Sequence, residues 1–365
     1  MLQPMSQPSP SRDSGSRRLP VAAEDRMSVV LTSEPGGNLE WLARLLAAEG
    51  LDARLFTVSE TRIAGVRRFQ HSVNTVRIAV GASSAAHTRT AVLVCSNLRL
   101  AMMASLLGSI CASKRVPVVA LNVIVFPKSG VRGFLRDYLY RALCRRAPLW
   151  ATVNSEWLRQ SCLNAYDFSP EHIGVLSDCW LPKWRGDFAE PTNLDGGYVF
   201  SGGTAARDWR TVVEVARACP TIPFRVIARR ADWPGDLDVP GNLEVAFDTP
   251  LDYFWESARN ARISLVSLAS NVTSGLVVLI LTSLMGRPVV CTRTPATELY
   301  YPAECSEMLI ELGDHGGMAR CVESLWVASE RRLNAARAVQ NYIMTTHSPE
   351  SYARRLAGII RSTTV

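Results

Sequence analysis

Twice along this chain, on either side of a stretch rich in Pro, Gly, Asp and Asn at residues 181–197, short apolar runs alternate with segments whose apolar residues recur at helical spacing. That alternation constrains the fold more than any other feature. Strands separated by helices join one sheet as parallel neighbours, with the helices covering both faces. In the first half, strands are expected at 28–32, 53–58, 90–95, 116–125, 151–154 and 173–176, and helices at 39–49, 98–111 and from 155 to about 164. In the second half, strands are expected at 198–201, 224–228, 243–246, 263–267 and 288–291, and helices near 208–218, 252–260, 274–285 and 315–340. The aperiodic segment 183–197 reads as a linker between domains at 27–182 and 198–345. Two doubly wound α/β halves of this kind leave a cleft between the carboxyl ends of their sheets, where such folds bind nucleotides.

Length and composition agree with two packed domains. The 365 residues, 47% hydrophobic and 20% charged, exclude collagen, coiled coil and wholesale disorder. The most apolar run, 275–285, falls well short of a membrane span and reads as a buried helix. Residues 1–26, rich in Ser, Pro and Arg, are expected to be a disordered tail rather than a secretory leader. Nine cysteines without a Cys-x-x-Cys pair or zinc-ligand spacing point to neither disulfides nor a metal centre, so a reducing cytoplasm is the expected location. A net charge of +7 favours an anionic partner: nucleotide, phosphate, nucleic acid or membrane surface. A basic amphipathic helix is expected at 128–146, with Arg132, Arg136 and Arg141 opposite Leu135, Tyr138 and Leu139. It could lie on an anionic membrane at the inner face or be a solvated face over an apolar core.

Three segments have the form of anion sites. Gly202-Gly203-Thr204 follows a strand, and Arg207 precedes a helix start. Two glycines admit a phosphate to the backbone, arginine supplies a fork of donors, and the helix N-terminus adds partial positive charge. An ordinary strand–helix turn with a solvated arginine would look the same. Gly36-Gly37 after the first strand is either a second such loop or a tight turn, and Thr273-Ser274-Gly275 is either an anion loop or a plain helix cap. Asp236 and Asp238 lie among prolines and glycines in a loop and are not read as metal ligands. The nucleophile elbow, the zinc-protease motif, the P-loop, the dinucleotide fingerprint and the nucleic-acid modules are all absent, so nucleic acid is not an expected partner.

Taken in order, Pro35-Gly36-Gly37, Ala151 to Ser155, Ser201-Gly202-Gly203 with Arg207-Asp208, Asn260 to Leu268, Thr273-Ser274-Gly275 and Gly286 to Val290 resemble the retaining nucleotide-sugar glycosyltransferases of the GT-B fold, family four in particular. The resemblance spans roughly 27–362 and implies two Rossmann-like domains, with a helix in 346–365 crossing back to the first. It also implies a nucleotide-diphosphate sugar held by the second domain, no metal or other cofactor, and an acceptor glycan, lipid or small molecule on the first. Arg207 matches the family's diphosphate-binding basic residue and Gly203 its phosphate-turn glycine. Ser274 and Gly275 match the loop that meets the donor, and Gly36 and Gly37 would face them across the cleft.

The chain also departs from the family pattern. The two glutamates that the family usually carries fall here on Thr273 and Leu281. Position 204 is Thr where a second arginine is frequent, and Asn122 is the nearest polar residue to where many members place a histidine. The expected function is a hexose transfer from a nucleotide sugar with retention of configuration. The missing glutamates leave open a non-catalytic partner of another transferase or of a polysaccharide assembly, and a different nucleotide-using enzyme on the same scaffold is a third reading.

Overall fold

The structure, a computed structural model, describes residues 27–33, 39–56, 91–111, 116–124, 149–192, 197–271 and 273–363, with a few isolated positions between them. The first half forms a six-stranded parallel sheet in the order β2-β1-β3-β4-β5-β6. Its strands are β1 (Ser28–Thr32), β2 (Asp52–Phe56), β3 (Ala91–Cys95), β4 (Val118–Ala120), β5 (Leu149–Val153) and β6 (Ile173–Val175). β1 pairs with β2 on one side and β3 on the other, so that Val29 lies between Ala53 and Val92. A central strand of a sheet covered on both faces is buried along its length, as all five β1 residues are, with the apolar Val29, Val30 and Leu31 at its middle. Helices α1 (Glu40–Ala48), α2 (Leu98–Cys111) and α3 (Glu156–Tyr166) connect the strands. The expected strand 116–125 contracts to Val118–Ala120, because the backbone turns at Asn122 with a φ of 49°.

The second half repeats the plan in the order β12-β11-β10-β7-β8-β9, again all parallel. Its strands are β7 (Val199–Gly202), β8 (Phe224–Ala228), β9 (Leu243–Phe247), β10 (Ile263–Val266), β11 (Val289–Thr292) and the two-residue edge β12 (Leu309–Ile310). Helices α4 (Trp209–Ala218), α5 (Leu251–Arg259), α6 (Leu276–Leu284), α7 (His315–Val327) and α8 (Ser329–Thr346) pack on it. All of α6 but Val277 is buried, as a helix apolar on every side must be.

The single helix expected over 315–340 is in fact two, although neither Pro nor Gly interrupts it. The guanidinium of the buried Arg332 donates to the carbonyls of Leu325 (2.7 Å) and Trp326 (3.0 Å), so a side chain from the next helix satisfies the carbonyls that end α7.

The chain passes from the first half to the second near Trp180 and returns at His347, and the two crossings are tied by Trp180 N–H donating to the His347 carbonyl (3.1 Å). In the expected linker segment Trp184 and Phe188 pack against the second core. The return leads into α9 (Pro349–Ser362), which starts with Pro at its first turn and with the Ser348 hydroxyl accepting from Ser351 N–H (3.1 Å). Its face Tyr352, Leu356 and Ile360 is buried against Leu42 and Leu46 of α1 and Leu31 of β1. Each such side chain contributes roughly 1.5–3 kcal/mol, so the last helix is part of the first domain's core.

Among the described residues no helix is long and apolar enough to cross a membrane. The tail 1–26, the turn holding Gly36 and Gly37, and most of the basic segment 128–146 lie outside the described residues.

Candidate functional site

The carboxyl ends of both sheets open on one cleft. On the side of the second half, β7 runs out into Gly203, whose φ is +127°, and a Cβ there would fall 2.4 Å from Arg207 Nη2. Only glycine fits both the backbone and the space. Gly202 sits behind it, and a Cβ on Gly202 would meet Phe254 at 2.5 Å. Its carbonyl accepts from Arg207 Nε (2.8 Å). An antiparallel bridge between Arg207 and Leu268 pins the loop to the end of β10. Asp208 then caps α4, accepting from Thr211 N–H (3.1 Å) and Thr211 Oγ1 (2.7 Å).

The half-buried Arg207 head has no described carboxylate acting on it. Burial lowers its pKa to about 10, which leaves it charged at neutral pH. A desolvated cation without an acid partner is costly in a ligand-free protein, and an anion bound there would relieve that cost.

The loop before α6 meets the same arginine. Gly275 caps the helix with a φ of +81°, and a Cβ on it would lie 3.0 Å from Arg207 Nη1. Ser274 Oγ donates to the Ala205 carbonyl (2.6 Å), joining the two loops. Thr273 reaches across the cleft, and its hydroxyl donates to Asn154 Oδ1 (3.1 Å). Together these loops and the first half enclose a cavity of about 370 Å³. Arg207, Ser274 and Gly275 line it from the second half, and Asn122, Asn154 and Asp178 from the first.

Asn122 is held in its left-handed conformation with its N–H donating to Thr152 Oγ1 (3.1 Å). Burial pushes the Asp178 carboxyl above the ordinary carboxylate range, against the pull of hydrogen bonds from the Asn154 and Asn122 side chains.

A second cavity, about 260 Å³, adjoins the first at Gly203, Thr204, Val277 and Val278. It is apolar on most sides, with Leu251, Phe254 and Trp255, and has Asp248 and Thr249 at its polar end. The Thr249 hydroxyl is buried without a hydrogen-bond partner among the described residues. Leu281 is not in either cavity, and packs in the core with Phe200 and Ile227. The helix that borders both cavities therefore presents Val277 and Val278 to both, Leu276 to the first, and no carboxylate.

Of the residues singled out in the sequence, Asn122, Gly203, Thr204, Arg207, Thr273, Ser274 and Gly275 share the first cavity, and Gly202 buttresses it. Gly36 and Gly37 lie outside the described residues. Asp178, Asn154, Asp248 and Thr249 were not picked out as site residues. Asp178 stands just beyond the end of β6 among buried Ser177, Cys179 and Trp180, and a lone acid in that apolar run is the one signal that marks it. Among the described residues no three His, Cys, Asp or Glu side chains are grouped as metal ligands would be.

No family model and no curated protein sequence matches this chain. Solved structures do. HepE of Anabaena in complex with UDP superposes with a TM-score of 0.65 at 12% identity, covering 92% of this chain and 100% of that one. A glycosyltransferase from Rickettsia africae gives 0.64 at 10%, covering 93% and 99%. Sucrose-phosphate synthase from Thermosynechococcus elongatus gives 0.61 at 12%, covering 93% and 99%. At this identity the likeness establishes the fold, which is GT-B: two parallel-sheet domains facing across a cleft, with the last helix crossing back.

Proposed function

We propose that this GT-B chain is a retaining glycosyltransferase that moves a hexose from a nucleotide-diphosphate sugar to a glycan, lipid or small-molecule acceptor. The observation that carries the reading is Arg207: a half-buried guanidinium with no described acid acting on it, set between two glycine loops at the floor of a cavity. The diphosphate would lie against Arg207 and the backbone N–H groups of Gly203, Thr204 and Gly275. The nucleoside would enter the second cavity, between Leu251 and Phe254. HepE has been solved with UDP, with UDP-glucose, and with UDP and glucose, which supports a nucleotide sugar as the ligand class.

In the reaction the bond between the anomeric carbon and the terminal phosphate oxygen breaks, and the electron pair leaves with the diphosphate. The acceptor oxygen bonds to the same face of that carbon, and its proton passes to the departing phosphate. Charge therefore grows on the diphosphate, where Arg207 and the loop amides are already oriented. A preset cation in a partly desolvated site stabilises such a leaving group without reorganising. The acceptor would enter from the first half, beside Asn122. A cytoplasmic location, with the basic segment 128–146 against the inner face of the membrane, belongs to the same proposal.

The test is a thermal-shift screen against nucleoside diphosphates and nucleotide sugars, followed by assay of nucleotide release with candidate acceptors. A ligand that binds only the native state raises its apparent stability. A response to one base together with turnover is the expected result, and a folded protein that responds to none contradicts it. A second reading, a non-catalytic partner of a transferase or polysaccharide assembly, draws on Thr273 and the buried Leu281 standing where the resembling family has carboxylates. Nucleotide binding with no turnover by either release or hydrolysis would favour it.

A further inference from the structure

The two walls of the first cavity carry a basic and an acidic side chain. The wall from the second half holds Arg207, and the wall from the first holds Asp178. Among the described residues the polar partners of the Asp178 carboxyl are the amides of Asn154 (Nδ2 to Oδ2, 3.5 Å) and Asn122. A carboxylate offers about four acceptor positions, so two amides, one of them at the limit of hydrogen-bond distance, leave acceptor capacity unused.

The surrounding network fixes this group. The Thr273 hydroxyl occupies Asn154 Oδ1, which turns the Asn154 NH2 toward Asp178. Behind the side chain, the Asp178 carbonyl accepts from the Tyr300 hydroxyl (3.2 Å) and lies 3.2 Å from His347 Nδ1. Asp178 is thus held in place from both domains, facing a cavity whose opposite wall attracts an anion.

We infer that Asp178, oriented by Asn154 and Asn122, selects the sugar: it accepts hydrogen bonds from the hydroxyl or amino groups of a neutral or amino sugar and turns away uronates and phosphosugars. This rests on the nucleotide-sugar reading above. The diphosphate is drawn to Arg207, so the sugar end of the donor meets the Asp178 wall. A hydroxyl there gains a charge-assisted bond. A second carboxylate or a phosphate there places like charges together in a desolvated pocket, and it enters only if one of the two is protonated. A hydroxyl presented by the acceptor would offer the same chemistry, so the donor is tested alone.

The experiment is calorimetric titration of the full chain, without acceptor, as wild type, Asp178→Asn and Asp178→Ser, each checked for an unchanged unfolding midpoint. The ligands are UDP, UDP-glucose and UDP-glucuronate, with GDP, GDP-mannose and GDP-mannuronate as the second set. In wild type the neutral sugar nucleotide should bind more tightly than the uronate by about tenfold or more, the size expected of a hydrogen bond to a charged group. In both variants that preference should fall below about threefold, while the Kd for the free nucleoside diphosphate stays within about twofold of wild type. Equal binding of neutral and uronate forms by wild type, or a preference untouched in the variants, overturns the assignment of Asp178 and leaves nucleotide binding standing. A wild type that binds none of the six ligands overturns the nucleotide-sugar reading and this inference together.

Discussion

The two halves of this molecule share one architecture and divide the chemistry of the cleft between them. Each is a six-stranded parallel sheet wrapped by helices, with the carboxyl ends of its strands turned to the cleft. The second half contributes glycines at positive φ, helix starts and the cation Arg207. The first contributes two asparagines and an acid, Asn122, Asn154 and Asp178. A fold used twice therefore fixes where a ligand lies, while the residues at the strand ends decide what each wall accepts. In the proposed function an anion is steered to the second half, and an uncharged polar group to the first.

Removing the cation is the most severe way to break this division. Arg207→Ala should weaken nucleoside diphosphate binding by about 100-fold, within the range for a lost charged hydrogen-bonding group, and leave the unfolding midpoint unchanged or raised because a desolvated charge is gone. Calorimetry and thermal unfolding on the same samples check both parts. Next in size is Gly203→Ala. A side chain at φ +127° that also displaces the arginine head should cost about 2 kcal/mol of stability, read by urea unfolding, and should weaken nucleotide binding as well.

The corresponding change that touches the first half should behave differently. Thr273→Val removes the one described side-chain hydrogen bond from Thr273 across the cleft, to Asn154. About 1 kcal/mol of the interaction that holds the two halves together should be lost. Small-angle scattering of the ligand-free protein should then show a larger radius of gyration, with nucleotide affinity within about threefold of wild type.

Much of the second half's contribution was legible in the sequence because its chemistry needs particular residue types. A glycine at a strand end before an arginine and a helix cap leaves a recognisable string, as at Gly203, Arg207 and Asp208. Of the first half's contribution only Asn122 was legible; Asn154 and Asp178 were not, because the three come from the ends of three strands and become a group only when β4, β5 and β6 lie side by side. The break between α7 and α8 was hidden for another reason: no Pro or Gly marks it, and the Arg332 side chain that satisfies the carbonyls ending α7 lies inside the continuous helical pattern. The two-residue β12 is too short to produce any alternation. The alternation of strands and helices was legible because most of those patterns are long enough to carry their own periodicity, the crossing helix α9 was expected from the resemblance alone, and the strand order is supplied by the structure.

The smallest expected effect sharpens the comparison at the hinge. His347 joins the halves, with Nε2 2.7 Å from the Leu299 carbonyl and its ring stacked on Tyr300. Burial is the main cause lowering its pKa below the ordinary value of 6.5, and nearby Arg355 adds to the lowering against the pull of the carbonyls. A base whose folded pKa is lowered contributes stability that is fully present above its unfolded pKa and is lost as pH falls through the folded value. Unfolding midpoints measured from pH 7.5 down to 5 should therefore drop more steeply for wild type than for His347→Gln. Equal slopes would remove His347 as the titrating group.

The central claim is that the second half grips the anion while the first half meets its uncharged end. It is tested most directly by a crystal structure of the protein soaked with the nucleotide sugar that gives the largest thermal shift. The account predicts diphosphate oxygens within hydrogen-bond distance of the Arg207 guanidinium and the Gly203 or Gly275 amides, the nucleoside in the cavity beside Phe254, and a sugar hydroxyl on Asp178. A diphosphate lodged on the first half, or one bound on the second half away from Arg207, would contradict it.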